Sequence, residues 1–204
     1  MNRSVVWLIA ANAVVFIIQN LVGGFTGAFV LHDIAQNPYT IISSMFLHGS
    51  VFHLLSNMFA LFLFGLLLEH EIGTKKFLAV YFSSGIIAGV AGSFLYVSLL
   101  GASGAIFGIM GYLAAIRPRL TVWTYGVPMP MAVAAAFWLV LDAAGVFYPS
   151  DIANLSHIAG LLFGAALGLY SIRNRPKQDK PKSNRFVSEE DFRKWEDVWM
   201  DRKQ

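Results

Sequence analysis

Gly101-Ala102-Ser103-Gly104-Ala105-Ile106-Phe107-Gly108 sets one hydroxyl, among small residues, where an apolar loop turns into an apolar segment. From Ser103 to Ile116 is about fourteen residues, or roughly 21 Å of α-helix. The hydrocarbon core of a bilayer is about 30 Å thick. A helix rising from one face at Ile116 would therefore end below the opposite surface. Non-helical backbone at such a depth is tolerated only where protein or a watery cavity surrounds it. Gly101 and Gly104 permit the tight backbone such a turn needs. Ser103 is thus expected to be submerged and still reached by water.

The rest of the chain fits a membrane setting. Of its 204 residues 56% are hydrophobic and 13% charged, with mean hydropathy +0.60. A soluble domain carries about 25% charge. Six apolar spans are expected, at about 5–22, 51–68, 77–99, 103–116, 129–146 and 155–172. Roughly 20 helical residues cross the core, so the reading is an all-α membrane protein. Residues 1–172 form its six-span core and 173–204 a cytoplasmic tail. There is no cysteine, which excludes disulfides. The pI near 9.2 is not a sign of nucleic-acid binding, because the basic residues sit at the edges of the spans.

Those basic residues orient the chain. Arg3 precedes the first span, Lys75 and Lys76 follow the second, Arg117 and Arg119 follow the fourth, and the remaining ten lie from Arg173 onward. Loops 23–50, 100–102 and 147–154 carry none. All fifteen therefore fall on one face of a six-span arrangement, with both termini cytoplasmic. Arg3, the apolar run and Ala11-Asn12-Ala13 imitate a signal peptide, but apolar character continues to Val22, so the run is read as a span. Loop 23–49 is apolar and reads either as lying in the outer leaflet or as an ordinary extracellular loop. In the tail, 173–185 is a Pro- and Lys-rich, lipid-attracted linker. Ser188-Glu189-Glu190-Asp191 then has capping-box spacing. Phe192, Trp195, Val198 and Trp199 follow, as a short amphipathic helix on the membrane or as a tail without function.

Polar residues inside spans are rare and carry function by default. His53 and Asn57, four apart, share one face of the second span, with His48 at its outer edge. The sixth span opens with Ser156-His157, followed by Gly160, Gly164 and Gly168; the fourth carries Gly104, Gly108 and Gly111. Small residues at such spacing let two helix backbones approach closely, which would bring Ser103 within hydrogen-bond reach of His157. A serine nucleophile needs an adjacent base, and a tetrahedral oxyanion needs fixed donors. His157 can serve as the base. His53, Asn57 and the Ser103 amide can serve as the donors. No acid stands at an obvious position to complete a triad; Asp142 and Asp151, near the outer ends of the last two spans, are the candidates, and a Ser-His dyad is favoured.

These residues resemble the rhomboid family of intramembrane serine proteases, over about 40–172. Gly101-Ala102-Ser103-Gly104 looks like its GxSG motif. His48-Gly49-Ser50-Val51-Phe52-His53-Leu54-Leu55-Ser56-Asn57 is similar to its histidine–asparagine motif. Ser156-His157-Ile158-Ala159-Gly160-Leu161-Leu162-Phe163-Gly164 resembles its last-span motif. The resemblance implies a six-transmembrane-helix rhomboid-like bundle of the prokaryotic form, in a cell membrane, with a recessed, water-accessible site opening to the extracytoplasmic side. It implies Ser103 as nucleophile and His157 as base, and places His53 and Asn57 at the oxyanion. Gly101, Gly104, His48 and Gly160 support the site. Phe107 takes the place of an aromatic, often tyrosine, that stacks on the catalytic histidine. Glu69 matches a structural glutamate or is a solvated helix-end charge. The Trp-Arg pair many members carry in the first loop is missing, which bears on how that loop is anchored.

The activity implied is cleavage of a single-span membrane protein near the outer end of its helix, through an acyl-enzyme. The partners implied are a transmembrane substrate and the lipid bilayer, with no cofactor, metal or nucleic acid. Two other readings compete. An inactive relative that binds client helices usually lacks the serine or the histidine, and this chain has both. A proton pathway through His48, His53 and His157 would stand without the internal repeats that mark many transporters.

Overall fold

The computed structural model describes residues 4–124, 126–148 and 152–174, and the account below concerns the compact unit Met1–Ile172. Asp151 and the segment 188–199 lie outside the described residues. In chain order the elements are α1 (Ser4–Leu21), the short α2 (Phe25–Phe29) and α3 (Thr40–Ser43), α4 (Val51–Ala60), α5 (Leu66–Ile72), α6 (Thr74–Gly92), α7 (Ser103–Ile116), β1 (Thr121–Thr124), β2 (Val127–Pro130), α8 (Met131–Gly145) and α9 (Asn154–Arg173). A wide π turn at Leu61–Gly65 joins α4 and α5 into one rod, Val51–Ile72. Such turns insert an extra residue into the helical ladder. Here it falls where Gly65 meets Val5 of α1: a methyl at Gly65 would lie 3.2 Å from the valine side chain.

Three stretches, Ser4–Leu21, Val51–Ile72 and Asn154–Arg173, are long and apolar enough to cross a membrane, while α7 and α8 are shorter apolar helices. The peripheral helices turn Val14, Ile17, Leu21, Leu162 and Leu169 outward. A helix apolar all round is either a core helix or a lipid-facing one, and both kinds occur here. The core helix is α7, where every residue from Gly104 to Leu113 is buried.

Glycines bring α7 that close to its neighbours. A methyl at Gly104 would lie 2.4 Å from the Ala88 side chain of α6, and one at Gly108 would lie 2.1 Å from Ser84. On the other side, a methyl at Gly160 of α9 would lie 2.1 Å from the Gly104 carbonyl oxygen, and one at Gly111 would lie 2.0 Å from that of Leu161. These backbones touch with no room for a Cβ. In lipid, where helix association cannot draw on expulsion of water, such close packing is a main attractive term.

Two stretches differ from the expected spans. Helix α6, at the expected third span, stops at Gly92 rather than near 99. Ser93 turns its hydroxyl onto the Val90 carbonyl at 2.8 Å, and Leu99 leaves the helix to exchange both backbone hydrogen bonds with Leu31, at 2.8 and 3.1 Å. Phe94 and Val97 are apolar yet exposed, so composition alone made this loop look like helix. Between α7 and α8, β1 and β2 pair antiparallel, and β2 takes up residues 129 and 130 that were expected to open the fifth span. Gly126, at φ +78°, supplies the positive φ of the tight turn. Pro128 and Pro130 lack N–H groups, which suits β2 to a strand with a free edge.

The first loop is held by its own polar contacts. Gln19 of α1 clasps the His48 backbone reciprocally, donating to its carbonyl at 2.9 Å and accepting from its N–H at 3.1 Å. The Ser43 hydroxyl donates to the Phe29 carbonyl at 2.9 Å, and the Gly101 amide to the Ser44 carbonyl at 2.9 Å. These bonds tie the loop both to α1 and to the turn before α7. Glu69 is fully buried: its carboxylate accepts from the Ser4 hydroxyl, from the Val5 N–H at 3.4 Å and from the Thr74 hydroxyl at 2.8 Å. It pins the starts of α1 and α6 and is not a solvated charge.

Candidate active site

Ser103 is the first residue of α7. The turn before it needs Gly101, whose φ of +119° disfavours any side chain. A methyl there would also lie 2.9 Å from Nε2 of His53. Ser103 Oγ lies 2.9 Å from Nε2 of His157, in the first turns of α9. The other ring nitrogen of His157, Nδ1, lies 3.0 Å from Oδ1 of Asp142 on α8. With the carboxylate accepting from Nδ1–H, Nε2 is left to accept from the serine hydroxyl.

Phe107, one turn after Ser103 on the same face of α7, stacks on the His157 ring with centroids 4.2 Å apart and planes 9° from parallel. Trp138 of α8 meets Phe107 edge-on at 5.9 Å. The imidazole is therefore held by a hydroxyl, a carboxylate and an aromatic face from two other helices. Gly160 sets its height, because its backbone rests on Gly104.

Across the cavity, α4 begins with Ser50 as cap, its hydroxyl accepting from the His53 N–H at 3.1 Å. The Gly49 N–H approaches His53 Nδ1 at 3.4 Å, so Nδ1 accepts and Nε2–H is free to donate towards the side of Gly101. Asn57 uses one amide hydrogen on the His53 carbonyl at 2.8 Å and keeps the other. His53, Asn57, Ser103 and His157 line one cavity of about 890 Å³, together with Phe52, Tyr96 and other residues of the loop that replaces the end of the third span. The Tyr96 hydroxyl ties that loop to α9 by accepting from the Leu155 N–H at 3.3 Å. His48 is fully buried behind the cavity, edge-on to His53 at 5.0 Å. Burial first, then neighbouring His53, pulls its imidazole down to about 4.

Ser103, His157, His53, Asn57, His48, Phe107, Gly101, Gly104 and Gly160 thus gather at one end of α7. Two that matter were given no role from the sequence. Asp142 had been one of two acids near the outer ends of spans, with no spacing rule to link it to His157. Gln19 is a polar residue in an apolar run, a signal that could have flagged it. Among the described residues no group of three or more His, Cys, Asp or Glu is placed to hold a metal ion.

A bundle of apolar helices closed around a buried central helix, with a hydroxyl and an imidazole in contact at its end, defines an integral membrane protein with a serine–histidine site. The Rhomboid domain family matches residues 35–174, and the chain belongs to the rhomboid family. It is 35% identical over 135 residues to "RHOMBOID-like protein 6, mitochondrial" of Arabidopsis thaliana, covering 65% of this chain and 43% of that protein. It is 29% identical over 137 residues to "Rhomboid protease GlpG" of Yersinia pseudotuberculosis, covering 65% and 48%. With "Rhomboid-like protease 3" of Toxoplasma gondii it shares 26% over 197 residues, covering 89% and 73%. The chain thus spans less than half the length of the plant and bacterial relatives.

Proposed function

We propose that this protein is an intramembrane serine endopeptidase that cleaves single-span membrane proteins near the outer end of their transmembrane helix. The observation that carries the reading is the 2.9 Å contact between Ser103 Oγ and His157 Nε2 on the wall of a cavity that also holds His53 and Asn57. In this reading α1, the Val51–Ile72 rod, α6, α7, α8 and α9 are six spans, both termini are cytoplasmic and the cavity opens to the extracytoplasmic side of a prokaryotic cell membrane. The family membership supports it, as do relatives named as proteases.

The chemistry follows from the pair. A substrate segment unwinds between α4 and α8 and presents a peptide carbonyl to Ser103. As Oγ attacks, its proton passes to His157 Nε2 and the carbonyl oxygen becomes an oxyanion. His53 Nε2–H, the spare Asn57 amide hydrogen and the Ser103 backbone N–H are the donors for it. The imidazolium then protonates the leaving amine, the C–N bond breaks and an acyl-enzyme remains. Water enters, gives a proton to His157 and attacks the ester. Collapse of that second tetrahedral species returns the proton to Ser103 and releases the acid. Small residues and helix breakers suit the cleaved segment, since it must leave the helical state.

The test is labelling by a fluorophosphonate probe, alongside cleavage of a transmembrane test substrate in detergent and in liposomes. Wild type is expected to label and cleave; Ser103→Ala and His157→Ala are expected to do neither while remaining folded. Cleavage retained by Ser103→Ala would rule the proposal out. A folded wild type that neither labels nor cleaves would point to an inactive adaptor.

A further inference from the structure

We infer that Asp142 is a positioning residue for His157, holding the imidazole in the tautomer and orientation that accept the Ser103 proton. The inference rests on the protease reading above and adds a third member to a machinery expected to work as a pair.

The geometry is that of a relay with fixed ends. Ser103 Oγ, His157 Nε2, His157 Nδ1 and Asp142 Oδ1 follow one another at 2.9 Å and 3.0 Å, with the ring between. The three residues come from three helices, α7, α9 and α8. Asp142 is 5% exposed, and its Oδ2 has no hydrogen-bond partner among the described residues. A carboxyl group among apolar helices is costly to bury unless paired, and His157 Nδ1 is the partner that Asp142 meets. A packing position on α8 would be served better by an apolar side chain of similar volume.

A second contact from the same face of α8 acts on the same ring. Trp138, one helical turn before Asp142, packs edge-on against Phe107, and Phe107 stacks on His157. Helix α8 therefore fixes the imidazole twice, through Nδ1 and through the aromatic under its plane. In the proposed reaction the Nδ1 proton stays on nitrogen throughout. Only the proton on the Nε2 side moves, from Ser103 and later to the leaving amine. Asp142 supports that cycle by accepting from Nδ1–H while the ring carries the extra proton.

Three measurements on the full-length protein test this. In wild type carrying ¹⁵N-histidine, with His157 assigned by difference from His157→Gln, the neutral ring is expected as the Nδ1–H tautomer; the Nε2–H tautomer would overturn the inference. In Asp142→Asn, kcat for the test substrate is expected to fall by roughly ten- to a thousandfold with KM little changed, because the loss lies in the transition state. Asp142→Glu, which restores a carboxylate, is expected to recover part of that loss. A folded Asp142→Asn protein with wild-type kcat would also overturn it. Should Asp142→Asn not fold, the tautomer in wild type still decides. Failure of Ser103 to take the fluorophosphonate would sink the protease reading instead, and leaves the tautomer result standing as the separate measure of Asp142.

Discussion

Gly164 of α9 rests directly on Gly108 of α7: a methyl built on Gly164 would lie 1.9 Å from the Gly108 carbonyl oxygen. Both partners in that contact are backbone, so neither can rotate away. The spacing between the helix that carries Ser103 and the helix that carries His157 is therefore set by the absence of two Cβ atoms.

Gly164→Ala is accordingly expected to push α9 off α7. The cost should reach about 2 kcal/mol or more, as for overpacking of a tight core, with loss of Ser103 labelling. Gly27 is the internal control, since nothing lies within 4 Å of a methyl there. Gly27→Ala in the short α2 should be neutral or stabilising by up to about 1 kcal/mol. Thermal unfolding in detergent compares the two; equal effects would show that the contact is slack.

Phe107→Ala removes the ring beneath His157 and the surface Trp138 packs on. Truncation of a buried phenylalanine costs about 3–5 kcal/mol. Cleavage should fall as well, because the imidazole is left to swing. Phe107→Leu, which refills the volume without the flat face, should regain stability more than activity. Unfolding temperature and kcat measured on both variants separate the two roles.

His53→Ala and Asn57→Ala each remove a donor from the wall opposite His157. Loss of one such donor costs on the order of 10²–10³ in kcat when it faces the developing oxyanion. Asn57 also caps the His53 carbonyl, so its variant should lose some stability besides. Wild-type kcat in both would remove this wall from the mechanism.

His48 predicts an acid limb in stability. Its folded value of about 4 lies below the ordinary 6.5, so folding favours the neutral ring. The contribution is complete above about 6.5 and drains away as pH falls towards 4, by at most about 1.4 kcal/mol per pH unit. His48→Phe should flatten that limb when unfolding is followed between those pH values. An unchanged limb would assign the acid sensitivity elsewhere.

Glu69→Ala withdraws the acceptor shared by Ser4, Val5 and Thr74. Buried donors left without a partner cost about 1–3 kcal/mol each. The variant should unfold well below wild type, while the protein that remains folded should label at Ser103 as before. Loss of labelling in the folded fraction would show that the Glu69 network controls the site.

The apolar runs and the glycine register were legible because both are local. A helix is specified by residues within one turn of each other, and Gly160, Gly164 and Gly168 announce a close neighbour without saying which side chains will face it. The end of the third span misled, because Phe94 and Val97 are as apolar in an exposed loop as they would be in a lipid-facing helix. The hairpin at 121–130 was not anticipated, since eight paired residues with two prolines carry too weak an alternation to register as strand.

The amino-acid sequence by itself determined that this is a helical membrane protein, that the glycines of α7 and α9 allow two helices to approach closely, and that Ser103, His157, His53 and Asn57 are the polar residues to watch. Only the tertiary structure decided that Asp142 reaches Nδ1 of His157, that Gln19 clasps His48 and that Glu69 is buried. Each of those contacts joins residues from different segments of the chain. The rotation and offset of one helix against another are fixed by packing of the whole bundle, and no spacing within a single helix encodes them.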